Sequence, residues 1–373
     1  MVTAKRLVVC FDGTWNSADA ERSETNVARL ARAVRANSGR DGIRQITLYL
    51  RGVGSTGIAL QRLVGGAFGE GVDDNIRSGY MFLVQNYVPG DEIFLFGFSR
   101  GAFSARSLSG LIGSCGLLKR QKLADLRAAW NYYRTASPRC PKDFCARHDS
   151  ECHTEVKIAF LGVWDTVGAL GVPATLRNSL FAAPYRFHDT EPSKIVLRGR
   201  HALAIDERRS SFVPTLWTGE EPPGCDIRQV WFAGAHSDVG GGYTNRLLAE
   251  IPLLWMAEEA QAAGLQLDAS MLPPATCGTL NPLAAQHESR PRLTRWLPPR
   301  FREVLQRAPA LGTWERLSRP RDQQGRALQP INESLHPSVA ARFGQAVARL
   351  DGNKDKAGRE ITYRPKNLVP SLP

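Results

Sequence analysis

This 373-residue sequence predicts an α/β fold with a mostly parallel sheet flanked by helices, and three observations predict it. Apolar runs of strand length alternate with stretches of helical spacing, the pattern of strands joined by crossover helices. Four of the runs, at 6–11, 93–96, 157–164 and 228–235, are apolar almost throughout, as strands buried on both faces are. Each ends in a cluster of glycine and polar residues, and a parallel sheet gathers such ends along one edge, where ligands bind.

The elements follow in order. The strand at 6–11 precedes a helix over about 26–36, a strand at 45–50 and a glycine-rich loop at 52–71. That loop follows no strand and lacks the Lys-Ser/Thr of a phosphate loop, so it reads as a mobile wall of a site and not as a nucleotide cradle. Ile76, Tyr80, Leu83, Val84 and Tyr87 then recur at helical spacing until Pro89-Gly90 ends the helix. The strand at 93–96 follows at once, and small and apolar residues at 102–112 predict a helix packed on the sheet. The polar segment carrying Cys140 to His153 reads as an inserted loop before the strand at 157–164. A segment rich in proline, aromatic and charged residues, about 178–224, is expected to be a cap or substrate-binding insertion. The strand at 228–235 and a helix over 247–263 complete a catalytic domain of residues 1–265. Residues 266–373 are expected to form a Pro/Arg-rich extension packed on that same domain.

Gly97-Phe98-Ser99-Arg100-Gly101 sits where the strand at 93–96 gives way to a helix. A G-x-S-x-G sequence there is the form of a nucleophile elbow, in which a serine occupies a strained apex and a Cβ at either glycine would clash with the neighbouring strand or helix. A nucleophilic serine needs a base, and the base needs a group to orient it. Asp165 follows the strand at 157–164, and His236 follows the strand at 228–235. Ser99, Asp165 and His236 therefore converge on one sheet edge, in the chain order of an α/β-hydrolase-like triad.

Only seven histidines compete for the base. His148, His153, His287 and His336 follow no buried strand, whereas His188 and His201 are rivals read as structural residues near the site. Asp206 and Asp238 are the alternative acids, with Asp238 placed to shape the turn after His236. The oxyanion hole takes its first donor from the Arg100 amide. Its second is expected from the amide of Gly13 or Thr14, with Asp12 shaping that turn.

Phe11 to Asn16, Arg51 to Gly54, Gly97 to Ala102, Gly162 to Val167, His201 to Glu207 and His236 to Gly242 together resemble one α/β-hydrolase family of unknown function, which includes type VI secretion phospholipase effectors. The resemblance is ordered and extends to about Tyr243. It implies the triad Ser99, Asp165 and His236; Gly97, Gly101, His201, Asp206 and Asp238 are read from the residues themselves as shaping the site. Effector members are phospholipases that usually carry a further membrane-binding or toxin-associated region, for which 373 residues leave little room.

The expected activity is serine esterase chemistry with no cofactor and no metal, on a lipid or phospholipid ester. A small-ester hydrolase with no membrane role and a catalytically silent binding or immunity-associated protein are the competing readings. Forty-three per cent hydrophobic residues suffice for a large core, and no apolar run reaches the length of a membrane span. Met1 to Phe11 lacks the features of a signal peptide, so the expected location is cytoplasmic, secretion without a cleaved leader being the alternative. Seven cysteines, an odd number, fit a reducing compartment better than a complete disulfide framework. Cys140, Cys145, His148, Cys152 and His153 have zinc-binding chemistry at a spacing that matches no common finger, so a plain loop is expected. The net charge of +12 concentrates in 290–326, where no nucleic-acid module is recognisable. That stretch is read as a solvated basic surface, with peripheral contact to an anionic membrane next and nucleic acid excluded. Oligomeric state is left open.

Overall fold

The computed structural model describes residues 4–13, 24–36, 42–52, 68–135, 138–168, 190–274, 280–290, 295–319, 326–351 and 358–368. Its centre is a seven-stranded sheet of β1 (Lys5–Phe11), β2 (Arg44–Leu50), β3 (Glu92–Phe98), β6 (Ile158–Trp164), β7 (Arg198–Ala204), β8 (Asp226–Phe232) and β12 (Glu333–Leu335). The spatial order is β12-β8-β7-β6-β3-β1-β2, and every neighbouring pair is parallel. The chain order reverses between β1 and β3, so their C-terminal ends open the crevice where such sheets bind ligands.

Alternation along each strand divides the core. Leu7, Val9 and Phe11 of β1 and Ile93 and Leu95 of β3 face one side, where they meet α2 (Phe68–Asn86) and α3 (Arg100–Cys115) through Ile76, Tyr80, Leu83, Ala105 and Leu108. Val8, Cys10, Phe94, Phe96 and Phe98 face the other, against α1 (Asn26–Ala33) and α7 (Leu247–Ala262) through Leu30, Ile251 and Met256. Apolar burial on both faces explains the continuous apolar runs. It also fixes the height at which each strand ends, and so the level of the site.

Several expectations need correction. The segment around 178–224 is not wholly a cap, because it contains β7, a central strand between β6 and β8. β7 holds Arg198, Arg200 and His201, and the Arg200 guanidinium is neutralised inside the fold by Glu259 at 2.6 Å and Asp226 at 2.7 Å. Residues 169–189, including His188, lie outside the described residues. The C-terminal extension, in turn, is woven into the fold as well as packed on it. It supplies edge strand β12, a sheet of β9 (Gln286–Glu288), β13 (Ala346–Asp351) and β14 (Arg359–Thr362), and the pair β10 (Arg300–Arg302) and β11 (Arg316–Ser318). Its arginines are not simply a solvated surface, since Arg302 is buried and Arg319 and Arg295 pair with Glu303 and Asp351.

The short helices α4 (Leu126–Tyr133) and α5 (Pro141–His148) and the two-residue strands β4 (Leu117–Leu118) and β5 (Cys152–His153) lie between α3 and β6. There Cys145 and Cys152 form a disulfide joining α5 to β5, so the segment expected to be a plain loop is a helix and a short strand stapled together. Cys10, Cys115, Cys140 and Cys225 are free. Among the described residues no group of His, Cys, Asp and Glu could hold a metal ion, and no helix is long and apolar enough to cross a membrane.

Candidate active site

Ser99 stands between β3 and α3 with φ 59° and ψ −119°. A serine with positive φ is strained, and such strain persists only where surrounding structure enforces it. The enforcement is visible in the two glycines. A Cβ on Gly97 would lie 2.4 Å from the Gly101 carbonyl oxygen, and one on Gly101 would lie 2.1 Å from that of Phe11. The turn therefore closes between helix and strand only because both residues lack a side chain. Ser99 is 7% exposed, and its hydroxyl makes no capping bond to α3. The first amides of a helix have no intrahelical partner and carry the positive end of its dipole, so Arg100 opens α3 as a donor-rich terminus beside the serine. Burial pushes the half-buried Arg100 side chain down to about 10.

Asp165 follows β6, fully buried, with φ 39°. Its Oδ2 accepts from His236 Nδ1 at 2.5 Å, and its Oδ1 from the Ala204 amide at 3.0 Å. Arg302 of β10 donates to both oxygens, Nη1 to Oδ1 at 2.5 Å and Nη2 to Oδ2 at 2.9 Å. Burial alone would raise the Asp165 carboxyl; the Arg302 charge and the His236 bond outweigh it and hold the group below the usual carboxylate range.

His236 begins α6 (His236–Gly240). Its ring centroid is 4.6 Å from that of Phe98, the residue before Ser99, and 4.8 Å from that of Phe212. Burial lowers its pKa, and the Asp165 partner opposes that shift. With Nδ1 donating to Asp165, Nε2 is the nitrogen left to accept a proton. Glu207 Oε2 accepts from the His236 amide at 3.3 Å while Glu207 grips Arg209. Burial raises the Glu207 carboxyl, but Arg209 brings it down to about 2.

The other site residues fall into two groups. His201 is fully buried on β7, where Nε2 accepts from the Thr166 amide at 3.1 Å and Nδ1 faces Gln229 Oε1 at 3.3 Å. Burial and then Arg106 push it down to about 3, so it is a neutral brace beneath the Asp165 turn. Asp206 accepts from the Gly234 amide at 2.8 Å and from the Tyr363 hydroxyl at 2.9 Å. Asp238 accepts from the Ala235 amide at 2.9 Å and from His287 Nδ1 at 2.6 Å. Neither of these two carboxylates pairs with His236; both hold the turn that carries it.

Asp12 ends β1 and accepts from Thr25 Oγ1 at 2.8 Å and from the Tyr49 hydroxyl. It also accepts from the Gly13 amide at 2.6 Å, so that proposed oxyanion donor is occupied by its own neighbour. Thr14 lies outside the described residues. Sequence reasoning missed Arg302 and Glu207 as site residues. Glu207 closes the His201–Glu207 stretch and had a motif signal, whereas Arg302 is one arginine in a basic stretch and had none.

The chain matches only part of the length of each relative. A segment of 244 residues is 32% identical to an uncharacterized protein of Saccharomyces cerevisiae, covering 58% of this chain and 33% of that protein. Among solved structures, an uncharacterized protein from Pseudomonas aeruginosa is similar at 18% identity and a TM-score of 0.42, covering 74% of this chain and 48% of that one. The structure of the Tle1 effector bound to the VgrG spike from the type 6 secretion system is similar at 18% identity and a TM-score of 0.38, covering 65% and 52%. The chain thus spans a third of the curated relative and about half of each solved chain. The family model for the type VI secretion phospholipase effector Tle1-like catalytic domain matches residues 5–259, a span that holds Ser99, Asp165 and His236, and the chain belongs to that family.

Proposed function

We propose that this protein is a serine hydrolase that cleaves lipid or phospholipid esters through an acyl-enzyme. The observation that carries the reading is the 2.5 Å bond from His236 Nδ1 to buried Asp165, on the same sheet edge as a serine held at positive φ. His236 Nε2 takes the Ser99 proton as Oγ attacks the ester carbonyl carbon. The tetrahedral intermediate collapses, the ester C–O bond breaks, and the leaving alcohol takes the proton from His236. Water then attacks the acyl-enzyme, passing a proton to His236 that returns to Ser99 as the fatty acid leaves. Asp165 fixes the His236 tautomer and stabilises its protonated form.

The Arg100 amide, at the positive end of α3, stabilises the oxyanion. A second donor becomes available if substrate draws the Gly13 amide away from Asp12, whose carboxylate keeps Thr25 and Tyr49 as partners. Family membership and the +12 charge support an anionic lipid as substrate. The test is acyl release from phosphatidylglycerol and phosphatidylcholine vesicles compared with short p-nitrophenyl esters. Faster turnover of the vesicles is expected. Turnover confined to the short esters would replace the lipid reading with a small-ester one, and turnover of neither would favour a binding protein.

A further inference from the structure

We infer that Arg302 is a positioning residue for the proposed catalytic acid, and that through it the chain beyond the matched domain completes the active site. The inference rests on the serine hydrolase reading and adds a part of the chain to it. Residues 5–259 match the catalytic domain, yet the turns after β6, β7 and β8 are each tied by a residue from beyond them. Arg302 binds both oxygens of Asp165, Tyr363 donates to Asp206 at 2.9 Å, and His287 donates through Nδ1 to Asp238 at 2.6 Å. Asn367 Nδ2 bonds the carbonyls of both Ile205 and Arg302 at 3.0 and 3.3 Å, fastening the β7 loop to β10.

Arg302 has the strongest of these ties. It is 1% exposed, and its guanidinium also donates to the carbonyls of Ala204 at 2.7 Å and Phe212 at 2.8 Å. Phe212 in turn packs edge-on against His236. One planar fork thus sets the carboxylate plane, the end of β7 and the ring that walls the base, a geometry a point-charge ammonium does not reproduce.

The pair Asp165–His236 titrates as a unit. The charged groups facing it are Arg302 from β10 and Glu207 and Arg209 from the segment after β7; the neutral, titratable His201 on β7 also faces it and, through His201, Arg106 of α3. Arg302 supplies the main opposing charge to Asp165, so removing it makes the pair hold a proton more tightly. The acid limb of the kcat/KM profile then moves to higher pH, by roughly one unit or more.

The experiment compares full-length Arg302→Met, Arg302→Lys and Asp165→Asn/Arg302→Met with wild type, reading pH profiles, kcat and KM separately, and folding by circular dichroism. Expected are an upward shift of the acid limb and at least a tenfold loss of kcat in Arg302→Met. Arg302→Lys should restore the limb while kcat stays low at unchanged KM, and Arg302→Met should cost nothing further in the Asp165→Asn background. An unshifted limb in folded Arg302→Met would overturn the inference. If Arg302→Met does not fold, Arg302→Lys decides: a reduced kcat at unchanged KM supports the role, and wild-type kcat overturns it. Full turnover by Ser99→Ala would instead remove the underlying serine hydrolase reading and leave the ion pair structural.

Discussion

Asp165 Oδ2 and His236 Nδ1 stand 2.5 Å apart, and the two side chains are all but closed to solvent. Burial disfavours the imidazolium, so His236 stays neutral and able to accept a proton below the ordinary imidazole pKa of about 6.5. As pH falls through the lowered value the ring charges and the base is lost. The acid limb of kcat/KM for wild-type protein is therefore expected below the ordinary imidazole value, checked with a substrate that does not itself titrate. Asp165→Asn keeps the shape, favours the wrong tautomer and should lower kcat by about 10³ to 10⁴.

Strain at Ser99 gives a second prediction. Ser99→Gly accepts φ 59° freely and should be more stable than Ser99→Ala by about 1 kcal/mol, after allowance for glycine's unfolded-state entropy. Urea denaturation of the two variants measures it. Equal midpoints would mean that the elbow stores no strain.

Gly101 and Gly97 are expected to tolerate nothing larger. Gly101→Ala drives a Cβ to 2.1 Å from the Phe11 carbonyl and should cost about 3 kcal/mol or more, because backbone, not a flexible side chain, is in the way. Among the described residues Gly168→Ala meets no atom within 4 Å, and it should change stability by less than about 0.5 kcal/mol. Thermal melts of both variants provide the comparison.

His201 predicts an acid sensitivity of the fold. Its folded value near 3 lies below the unfolded imidazole value of about 6.5. Its contribution to stability is thus complete above that unfolded value and is lost as pH falls toward the folded one. Denaturation midpoints should decline between pH 6 and 4, and His201→Gln, which keeps an acceptor without a titrating ring, should flatten the decline. A slope unchanged in the variant would assign the effect elsewhere.

The legible parts of this fold are those whose burial is local in sequence. β1, β3, β6 and β8 are apolar runs ending in Asp12, Ser99, Asp165 and His236, so a reader sees both the strand and the residue it presents. β7 is hidden because Arg200 and His201 occupy core positions, Arg200 neutralised by Glu259 and Asp226 and the neutral His201 accepting from the Thr166 amide, partners remote in sequence. β12 spans Glu333–Leu335, too short for any periodicity. Arg302 is hidden for the same reason as Arg200: its carboxylate lies 137 positions away, and nothing local distinguishes it from the other arginines around it. Charge compensated at long range leaves no local pattern, and in this chain it supports the very turn the pattern reveals.

The most direct measurement of the central claim is intact-protein mass and peptide mapping after treatment with a fluorophosphonate, for wild type and Ser99→Ala. The account predicts one adduct on wild type, mapped to Ser99, lost in Ser99→Ala and slowed by Asp165→Asn. No adduct on folded wild-type protein, or equal labelling of Ser99→Ala, would contradict it.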